Sequence, residues 1–436
     1  MRISDYPLDR DYLLVQLSEW AYLADRQDAT AIDREMVQYL IRSQFGDDWF
    51  VETHITPPTN LALVGRLAYM WVINRVSFEV ILVFRGRAAA SMPSFRNIVG
   101  IRSWALEHLR AQPTIYSFPS ILPVQVSDRA SVHEGLKLAW QTAQNDIWLQ
   151  FRAIAHGMRA KPTLLITGHS LGGALAQFFF VDALVTSRGG PILNPDSLAE
   201  IYFASFSAPQ IGNAEFENSV GQLVGSTGVP ASGQAYEARA ELVGLSDTDE
   251  SSGFLSMFTA FAGVFAPSHF AVSVDIFPDN DSALGLPLSH SILHFVEYFR
   301  DRLLGRVECP KDLRVNSVVL VIYNMVANHG IKFNLRQLYD DLPNHVRRSE
   351  TILSGNLDPN WDTHFLKSTS PTTLYNQYDL ILELGPMSPY PSWHALVDGF
   401  AVYLDGRPAA ISPELRLDLR SNSWNFSLSD WHRAAK

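Results

Sequence analysis

The sequence predicts an α/β fold in which a mostly parallel central sheet is covered by helices on both faces. Apolar strand-like runs alternate along the chain with stretches in which apolar residues recur at helical spacing, which is typical of such a sheet. The runs at 78–84 and 201–206 are apolar almost throughout, as expected of strands that are buried on both faces. The chain has 436 residues, 47% of them hydrophobic, so it can bury a large core.

The first elements of this fold precede a glycine-rich turn near residue 170. Residues 11–45 predict helices, because leucine, tryptophan and alanine recur there at helical spacing. Residues 60–84 predict two strands, and the second of them is β-branched and apolar enough to be central in the sheet. Residues 136–158 predict a helix, and the apolar run 163–167 predicts the strand that leads into the turn.

The later elements complete the sheet. Residues 201–206 predict a buried strand, 238–245 a further strand and 272–277 an edge strand. Residues 291–304 predict a helix with one apolar face. These elements together form a predicted domain at residues 1–305.

The amino-acid composition of the sequence changes after about residue 304. Proline and asparagine cluster between residues 355 and 395, and the stretch Val318–Ile322 is expected to lie in a helix-like segment. No catalytic motif, metal signature or repeat stands out here. We therefore predict a C-terminal accessory module of unknown role at residues 306–436.

A serine lies between glycines where a predicted strand meets a predicted helix. The segment is Gly168-His169-Ser170-Leu171-Gly172. The pattern G-x-S-x-G in this context is typical of a nucleophile elbow, a turn so tight that glycine is needed on either side of the serine. The serine then lies at the N-terminus of a helix, whose dipole favours negative charge. Ser170 is therefore the predicted nucleophile.

A serine hydroxyl needs a base to remove its proton, and His290 is the predicted base. In enzymes with this turn, the acid and the base follow the nucleophile in the order Ser, Asp or Glu, His. The histidines His269, His290 and His294 lie downstream of the turn and before the C-terminal module. His290 is preferred because it lies in the loop between the last predicted strand and the last helix. His294 lies one turn further, within that helix.

Asp247 is the predicted acid that orients the base. The strand predicted at 238–245 leads into an acidic loop that contains Asp247, Asp249 and Glu250. Asp247 is chosen because it is the first carboxylate clear of the strand, and Asp249 is the alternative. A solvated acidic loop without a catalytic role is also consistent with these residues.

The oxyanion of a tetrahedral intermediate needs backbone donors, which we predict at Leu171 and Arg87. Leu171 directly follows the nucleophile, and the second donor is expected in the loop after an earlier central strand. The segment Phe84-Arg85-Gly86-Arg87 ends such a strand, and Gly86 lets the backbone turn sharply. An ordinary strand end with exposed arginines is the alternative interpretation.

Composition and charge exclude several classes of partner. The net charge is −11 and there is no long basic run, so no nucleic-acid partner is expected. The single cysteine, Cys309, excludes an internal disulfide. Neither a metal nor an organic cofactor is expected, because a serine, a histidine and backbone donors suffice for the predicted chemistry. The longest apolar stretch, 254–266, is too short to span a membrane. The N-terminus lacks a secretory signal, so we expect a cytoplasmic protein or one exported by a signal-independent route.

Five motifs, in their order and spacing, resemble the class 3 lipases, the family of fungal triacylglycerol lipases, over roughly residues 55–305. The motifs are Val83-Phe84-Arg85-Gly86, Val132-His133-Glu134-Gly135-Leu136, Gly168–Ala176, Phe206–Asn213 and His290-Ser291-Ile292. The resemblance implies an α/β-hydrolase fold and hydrolysis of carboxylic esters through an acyl-enzyme. It also implies the nucleophile, base, acid and oxyanion donors named above.

The chain departs from the family pattern at two places. The family usually has threonine or serine after Phe-Arg-Gly, where this chain has Arg87. The segment Leu242–Asp247 aligns with the family pattern Val-Val-Asn-x-x-Asp and so favours Asp247 as the acid, although the Val-Pro that commonly follows is missing. His133 and Pro209 match family motifs and are expected to be structural.

Two apolar stretches favour a fatty-acyl ester as substrate. In the related lipases a mobile lid lies between the motifs that here bound residues 88–128, and this segment is apolar enough to form one. Residues 254–266 place four phenylalanines on one helical stripe, which would line an acyl pocket or enter a lipid interface, unless they form a buried core helix. The expected partner is a lipid or ester substrate, which the protein would meet in solution or at a membrane or lipid interface.

Two other functions stay open on the sequence alone. One is a lipase-like scaffold without catalysis, which would bind partners through residues 306–436. The other is an esterase for non-lipid esters, such as a feruloyl esterase, a cutinase-like enzyme or a thioesterase, because specificity depends on pocket walls that the sequence does not define. The intact serine turn, with histidine and aspartate downstream, favours an enzyme.

Overall fold

A computed structural model describes the chain in separate ranges. The described residues are 7–23, 25, 31–57, 66–86, 113–118, 127–186, 198–208, 211–226, 228–237, 272–275, 292–293, 295–296, 298–299, 312–323, 326–327, 330–341, 346–357, 364–368, 370–375, 379–386, 395–396, 399–412 and 423–427.

A seven-stranded sheet forms the centre of the N-terminal part. Its strands are β1 (Trp49–Ile55), β2 (Ala68–Asn74), β3 (Glu79–Phe84), β6 (Thr163–His169), β7 (Glu200–Phe206), β8 (Ala231–Glu237) and β9 (Val272–Asp275), and their order in space is β1-β2-β3-β6-β7-β8-β9. The strands from β3 to β9 are parallel, whereas β1 and β2 pair antiparallel at one edge. The carboxyl ends of the parallel strands therefore lie along one edge of the sheet. A short hairpin pair, β4 (Pro113–Ile115) and β5 (Ser131–His133), lies outside this sheet.

Helices cover both faces of this sheet, as predicted. They are α1 (Pro7–Trp20), α2 (Arg34–Phe45), α3 (Glu134–His156), α4 (Leu171–Thr186) and α5 (Ala214–Ser226), together with helical positions between residues 292 and 299. Along β3, Val80, Leu82 and Phe84 pack into one core cluster, and Ile81 and Val83 pack into the other. We call the side covered by α3, α4 and α5 the α3 face, and the side covered by α1, α2 and the 292–299 helix the α1 face.

Helix α1 is enclosed on all sides. Every residue from Arg10 to Leu23 is buried, including polar side chains such as Asp11 and Glu19. Towards the sheet, Asp11 accepts hydrogen bonds from Tyr202 and Tyr236 on β7 and β8. On its other side α1 contacts strands from the C-terminal part of the chain. This helix therefore has the burial of a core element and not of an amphipathic surface helix.

The chain after residue 311 is built from strands in its described part. They are β10 (Asp312–Val315), β11 (Val318–Tyr323), β12 (Val326–Ala327), β13 (Ile331–Asp341), β14 (Val346–Leu357), β15 (His364–Ser368), β16 (Thr372–Tyr375), β17 (Asp379–Pro386), β18 (Ala395–Leu396), β19 (Gly399–Leu404), β20 (Arg407–Ser412) and β21 (Ser423–Ser427). Two four-stranded antiparallel sheets stand out, with the orders β15-β11-β19-β20 and β14-β13-β17-β21. Val319, Val321, Ala401 and Tyr403 share the core cluster of the α1 face.

The helix-like segment expected at Val318–Ile322 is wrong. These residues form β11, which is paired on both sides, with β15 and with β19. All five side chains are buried. A short continuous apolar run fits a strand buried on both faces as well as a helix, and the β-branched valines and isoleucine favour the strand. The division of the chain at residue 305 stays a prediction.

Most of the other predicted elements are confirmed in the described residues. The predicted central strand 78–84 is β3, and the predicted edge strand 272–277 is β9 at the end of the sheet. In the predicted helix 291–304, Ile292, Phe295, Val296 and Phe299 are buried as expected. The strands β1 and β8 were not predicted, and the strand expected at 238–245 lies outside the described residues.

Candidate active site

The candidate active site is built around the turn between β6 and α4. Ser170 has φ +55°, a left-handed conformation that a non-glycine residue adopts rarely. Its N–H donates to the carbonyl of Phe206 on β7 at 3.0 Å. Its own carbonyl accepts from the N–H groups of Gly173 and Ala174 at 3.0 and 3.2 Å, which starts the helix. The serine residue is half-buried, unlike the fully buried strand that leads to it.

Three glycines let the helix approach the sheet this closely. A Cβ at Gly168 would lie 2.4 Å from the backbone carbonyl carbon of Gly172, and one at Gly172 would lie 2.3 Å from the carbonyl oxygen of Phe84. A Cβ at Gly173 would lie 2.9 Å from the carbonyl oxygen of Gly168. These neighbours are backbone atoms, which cannot move aside. A side chain at any of the three positions would therefore collide with the backbone, as the glycine pattern predicts.

Leu171 is the first residue of α4 and is half-buried. The first N–H groups of a helix have no acceptor within the helix, and the aligned peptide dipoles make this end positive. The turn thus brings a serine hydroxyl and an anion-binding helix terminus together. Such a pair can attack a carbonyl carbon and stabilise the negative charge that develops on its oxygen.

His169, the residue before the serine, is almost fully buried with an exposure of 5%. Its Nδ1 shares a 2.7 Å hydrogen bond with the hydroxyl of Tyr22, which follows α1. The His169 ring also lies near Phe295 of the 292–299 helix, with 6.5 Å between the ring centroids. Two elements of the α1 face therefore meet directly behind the turn. Tyr22 could not be predicted from the sequence, because no local pattern links it to a residue 147 positions away.

A second serine in a left-handed conformation lies at the same sheet edge. Ser207 has φ +45° and follows the end of β7. In the register of β6 and β7, His169 pairs with Phe206, so Ser170 and Ser207 are the next residues on neighbouring parallel strands. The N–H of Ser207 donates to the carbonyl of Tyr236 at 2.8 Å. Strained backbone of this kind is often found at functional sites.

The other predicted site residues fall outside the described part of the chain. This holds for the oxyanion donor Arg87, for Asp247 and its alternative Asp249, and for His290. It also holds for His269 and His294, for most of the lid segment 88–128 and for the apolar stretch 254–266. Their roles stay predictions. Of the predicted catalytic and oxyanion residues, the structure describes Ser170 and Leu171.

His133 has a structural position. It is the N-cap of α3, and its Nδ1 accepts a hydrogen bond from the N–H of Leu136 at 3.2 Å. Burial lowers the pKa of His133 to about 4, so the ring is neutral at physiological pH. Within the described ranges, no three side chains of His, Cys, Asp or Glu come together as metal ligands would. In the same ranges, no helix has both the length and the apolar character that a membrane crossing needs.

The segment that carries the serine turn is similar to a known protein family. The family model described as Lipase (class 3) matches residues 94–229. This part of the chain is therefore similar to the class 3 lipases. The match includes Ser170, and with the parallel sheet and the serine turn it confirms the predicted α/β-hydrolase class. The class 3 lipase family indicates a hydrolase that acts on esters, with a lipid or another ester as its substrate.

Among solved structures, the chain is similar to several lipases at low identity. The Lip2 lipase from Yarrowia lipolytica is 17% identical, with 57% of this chain and 78% of that chain covered and a TM-score of 0.39. A triacylglycerol lipase from Penicillium expansum is 12% identical, with 53% of this chain and 71% of that chain covered and a TM-score of 0.33. M37 lipase is 13% identical, with 66% of this chain and 91% of that chain covered and a TM-score of 0.46. A search of curated protein sequences finds no match.

Proposed function

We propose that the protein is a serine hydrolase that cleaves lipid esters through an acyl-enzyme. The observation that carries the proposal is the strained Ser170 at the N-terminus of α4, within the class 3 lipase segment. A left-handed serine at this junction projects its hydroxyl beside the first N–H groups of the helix. The lipid nature of the ester rests on the family and on the apolar stretches at 88–128 and 254–266.

In the proposed reaction, His290 removes the proton of the Ser170 hydroxyl as its oxygen attacks the ester carbonyl carbon. Asp247 holds the imidazole in the required tautomer. The N–H groups of Leu171 and Arg87 donate to the oxyanion of the tetrahedral intermediate. His290 then protonates the departing alcohol, which leaves Ser170 acylated. Water, activated by the same histidine, hydrolyses the acyl-enzyme and releases the fatty acid.

Neighbouring described residues support these assignments. Phe295 packs near His169, so His290, a few residues before it, is within chain reach of the serine turn. Asp247 lies between β8 and β9, and β8 ends at the same sheet edge as β6. Gly86, directly before Arg87, has the carbonyl oxygen of His169 within 2.8 Å of the position of a Cβ. Each proposed partner thus lies close in sequence to a described element that approaches the turn or its edge.

Replacement of the nucleophile tests the proposal. We expect Ser170→Ala to lower the rate of hydrolysis of a p-nitrophenyl ester by about 10⁴-fold or more and to abolish labelling by a fluorophosphonate. Ser226→Ala, which removes a hydroxyl at the end of α5, is the matched control and should retain both. A Ser170→Ala variant as active as the wild type would overturn the proposal. A folded wild type that neither hydrolyses esters nor reacts with the probe would favour a scaffold without catalysis.

The base, acid and substrate can be separated by the same assay. We expect His290→Ala and Asp247→Asn to lower the rate strongly, and His269→Ala, His294→Ala and Asp249→Asn to have little effect. A series of esters from acetate to palmitate tests the substrate class. Activity that rises with chain length supports a lipid substrate, whereas a sharp preference for acetate would favour an esterase for small esters.

A further inference from the structure

Tyr22 lies directly behind the serine turn and is almost fully buried, with an exposure of 3%. Its hydroxyl shares a 2.7 Å hydrogen bond with Nδ1 of His169. The two rings meet edge to face, with 5.7 Å between their centroids. Since His169 is bonded to Ser170 through the backbone, this contact restrains the residue on which the strained conformation of the nucleophile depends.

The same hydroxyl also contacts the strand end on the other side of the turn. A Cβ at Gly86 would lie 1.8 Å from the Tyr22 hydroxyl oxygen, so the hydroxyl occupies the space above this glycine. Gly86 directly precedes Arg87, the proposed second oxyanion donor. Tyr22 therefore touches both the segment that carries the nucleophile and the segment that leads to the oxyanion donor. A residue in this place controls their separation.

Tyr22 is itself held by contacts that extend to the C-terminal strands. Its N–H donates to the carbonyl of Glu19 at 3.0 Å, in the last turn of α1. The hydroxyl of Tyr403 on β19 donates to Glu19 Oε1 at 2.5 Å and accepts from Trp20 Nε1 at 3.2 Å. All four of these side chains are buried. The end of α1 is thus fixed between the C-terminal strands and the serine turn.

We propose that Tyr22 is a positioning residue that holds Ser170 and the oxyanion donors in register, with Tyr403 supporting it through the end of α1. The inference rests on the proposed function. A strained residue persists where its surroundings fix it, and catalysis is sensitive to displacements of about 1 Å. A hydrogen bond to the neighbouring histidine supplies such a restraint without touching the substrate.

The expected signature is a loss in kcat with KM unchanged. Tyr22→Phe keeps the ring and removes the hydroxyl, so we expect kcat for a soluble p-nitrophenyl ester to fall about tenfold. Tyr12→Phe is the matched control, because Tyr12 is a buried tyrosine within α1 and its hydroxyl accepts a hydrogen bond from Gln16 at 2.9 Å. It should leave kcat within about twofold of the wild type. We expect Tyr403→Phe to lower kcat in the same direction but by less, about threefold.

The tautomer of His169 gives a readout that does not depend on activity. In the wild type, ¹⁵N NMR of the imidazole should show one predominant tautomer, because a hydroxyl held 2.7 Å from Nδ1 favours a single role for that nitrogen. In Tyr22→Phe the populations of the two tautomers should shift, and in Tyr12→Phe the spectrum should match the wild type. If Tyr22→Phe does not fold, the wild-type spectrum still decides, since a mixture of tautomers there would contradict the restraint.

The outcomes separate this inference from the proposed function. If the wild type is active and Ser170→Ala is not, while Tyr22→Phe retains the wild-type kcat, the positioning role is wrong and the function stands. If Tyr403→Phe alone has no effect, the support from the C-terminal strands is wrong. If the wild type does not hydrolyse esters but the His169 tautomer changes in Tyr22→Phe as expected, the proposed function is wrong and the restraint by Tyr22 stands.

Discussion

The two faces of the central sheet are packed with different chemistry. On the α3 face, tryptophan and phenylalanine rings pack on one another, with Phe179 among Trp71, Trp140 and Trp148. On the α1 face, buried hydroxyls and carboxylates pair across elements, and Ser18 of α1 meets Thr167 of β6 at 3.0 Å. The apolar α3 face stabilises the fold mainly by how completely its side chains fill the core. The polar α1 face stabilises it through hydrogen bonds, whose strength depends on their direction.

The difference bears on where the nucleophile strand is fixed. Thr167 and His169 of β6 both have hydrogen-bond partners on the α1 face, at Ser18 and Tyr22. Burial of a hydroxyl or an imidazole is favourable when its hydrogen bonds are made, so each such pair selects one orientation of α1 on the sheet. The α1 face therefore specifies geometry at the serine turn, and the α3 face mainly stabilises the sheet.

The largest expected effect comes from the α3 face. Phe179→Ala removes a fully buried ring whose centroid lies 4.8 Å from that of Trp148, and we expect the free energy of unfolding to fall by about 4 kcal/mol. The kcat of the molecules that stay folded should not change. Denaturant unfolding and active-site titration measure the two quantities. Leu149→Ala, at an exposed leucine of α3, is the control and should change stability by less than about 0.5 kcal/mol.

A loss of stability below about 1 kcal/mol in Phe179→Ala would show that the ring cluster is not a tightly packed core. A loss of kcat per folded molecule would break the comparison in another way. It would mean that the apolar face also controls the geometry of the serine turn.

The same contrast explains what the sequence could predict. The serine turn was predictable because its glycines, its strand and its helix are neighbours in the chain. The partners of the α1 face were not, because Tyr22 and His169 are 147 residues apart and Glu19 and Tyr403 are 384 apart. The strand at Val318–Ile322 was mistaken for a helix-like segment, since a short apolar run has no period that separates the two.

A buried carboxylate on the α3 face, that of Asp182, predicts a pH effect. Asp182 accepts hydrogen bonds from Trp140 Nε1 at 3.0 Å and from Gln144 Nε2. Burial raises the pKa of Asp182 to about 6, above its ordinary value of 3.8. Between these values the folded protein keeps a proton that the unfolded chain has released. The free energy of unfolding should therefore fall by up to about 3 kcal/mol as the pH rises from 4 to 7.

Asp182→Asn isolates this contribution. We expect the stability of the wild type relative to the variant to decrease as the pH rises through 4 to 6, as measured by denaturant unfolding at each pH. The His133 ring has the opposite sign, because its lowered pKa costs stability as the pH falls from 6.5 towards 4, but it is present in both proteins and cancels in the difference. A difference that does not vary with pH would show that Asp182 titrates normally.

The smallest expected effect tests directionality on the α1 face. The Asp11 carboxylate accepts from Tyr202 at 2.7 Å and from Tyr236 at 2.5 Å, and the Arg10 guanidinium stacks on the Tyr202 ring at 3.3 Å. Desolvation by burial raises the pKa of Asp11, and the hydrogen bonds from Tyr236 and Tyr202 oppose this shift.

Tyr236→Phe removes one of the two donors, and we expect it to lower the free energy of unfolding by about 1.5 kcal/mol. With Tyr202→Phe added, the loss should exceed the sum of the two single changes by about 0.5 kcal/mol or more, because the buried carboxylate then has neither hydroxyl. Denaturant unfolding of the four proteins measures the coupling. Strict additivity would mean that each hydroxyl acts alone and that the α1 face, like the α3 face, is held by independent contacts rather than by a network around Asp11.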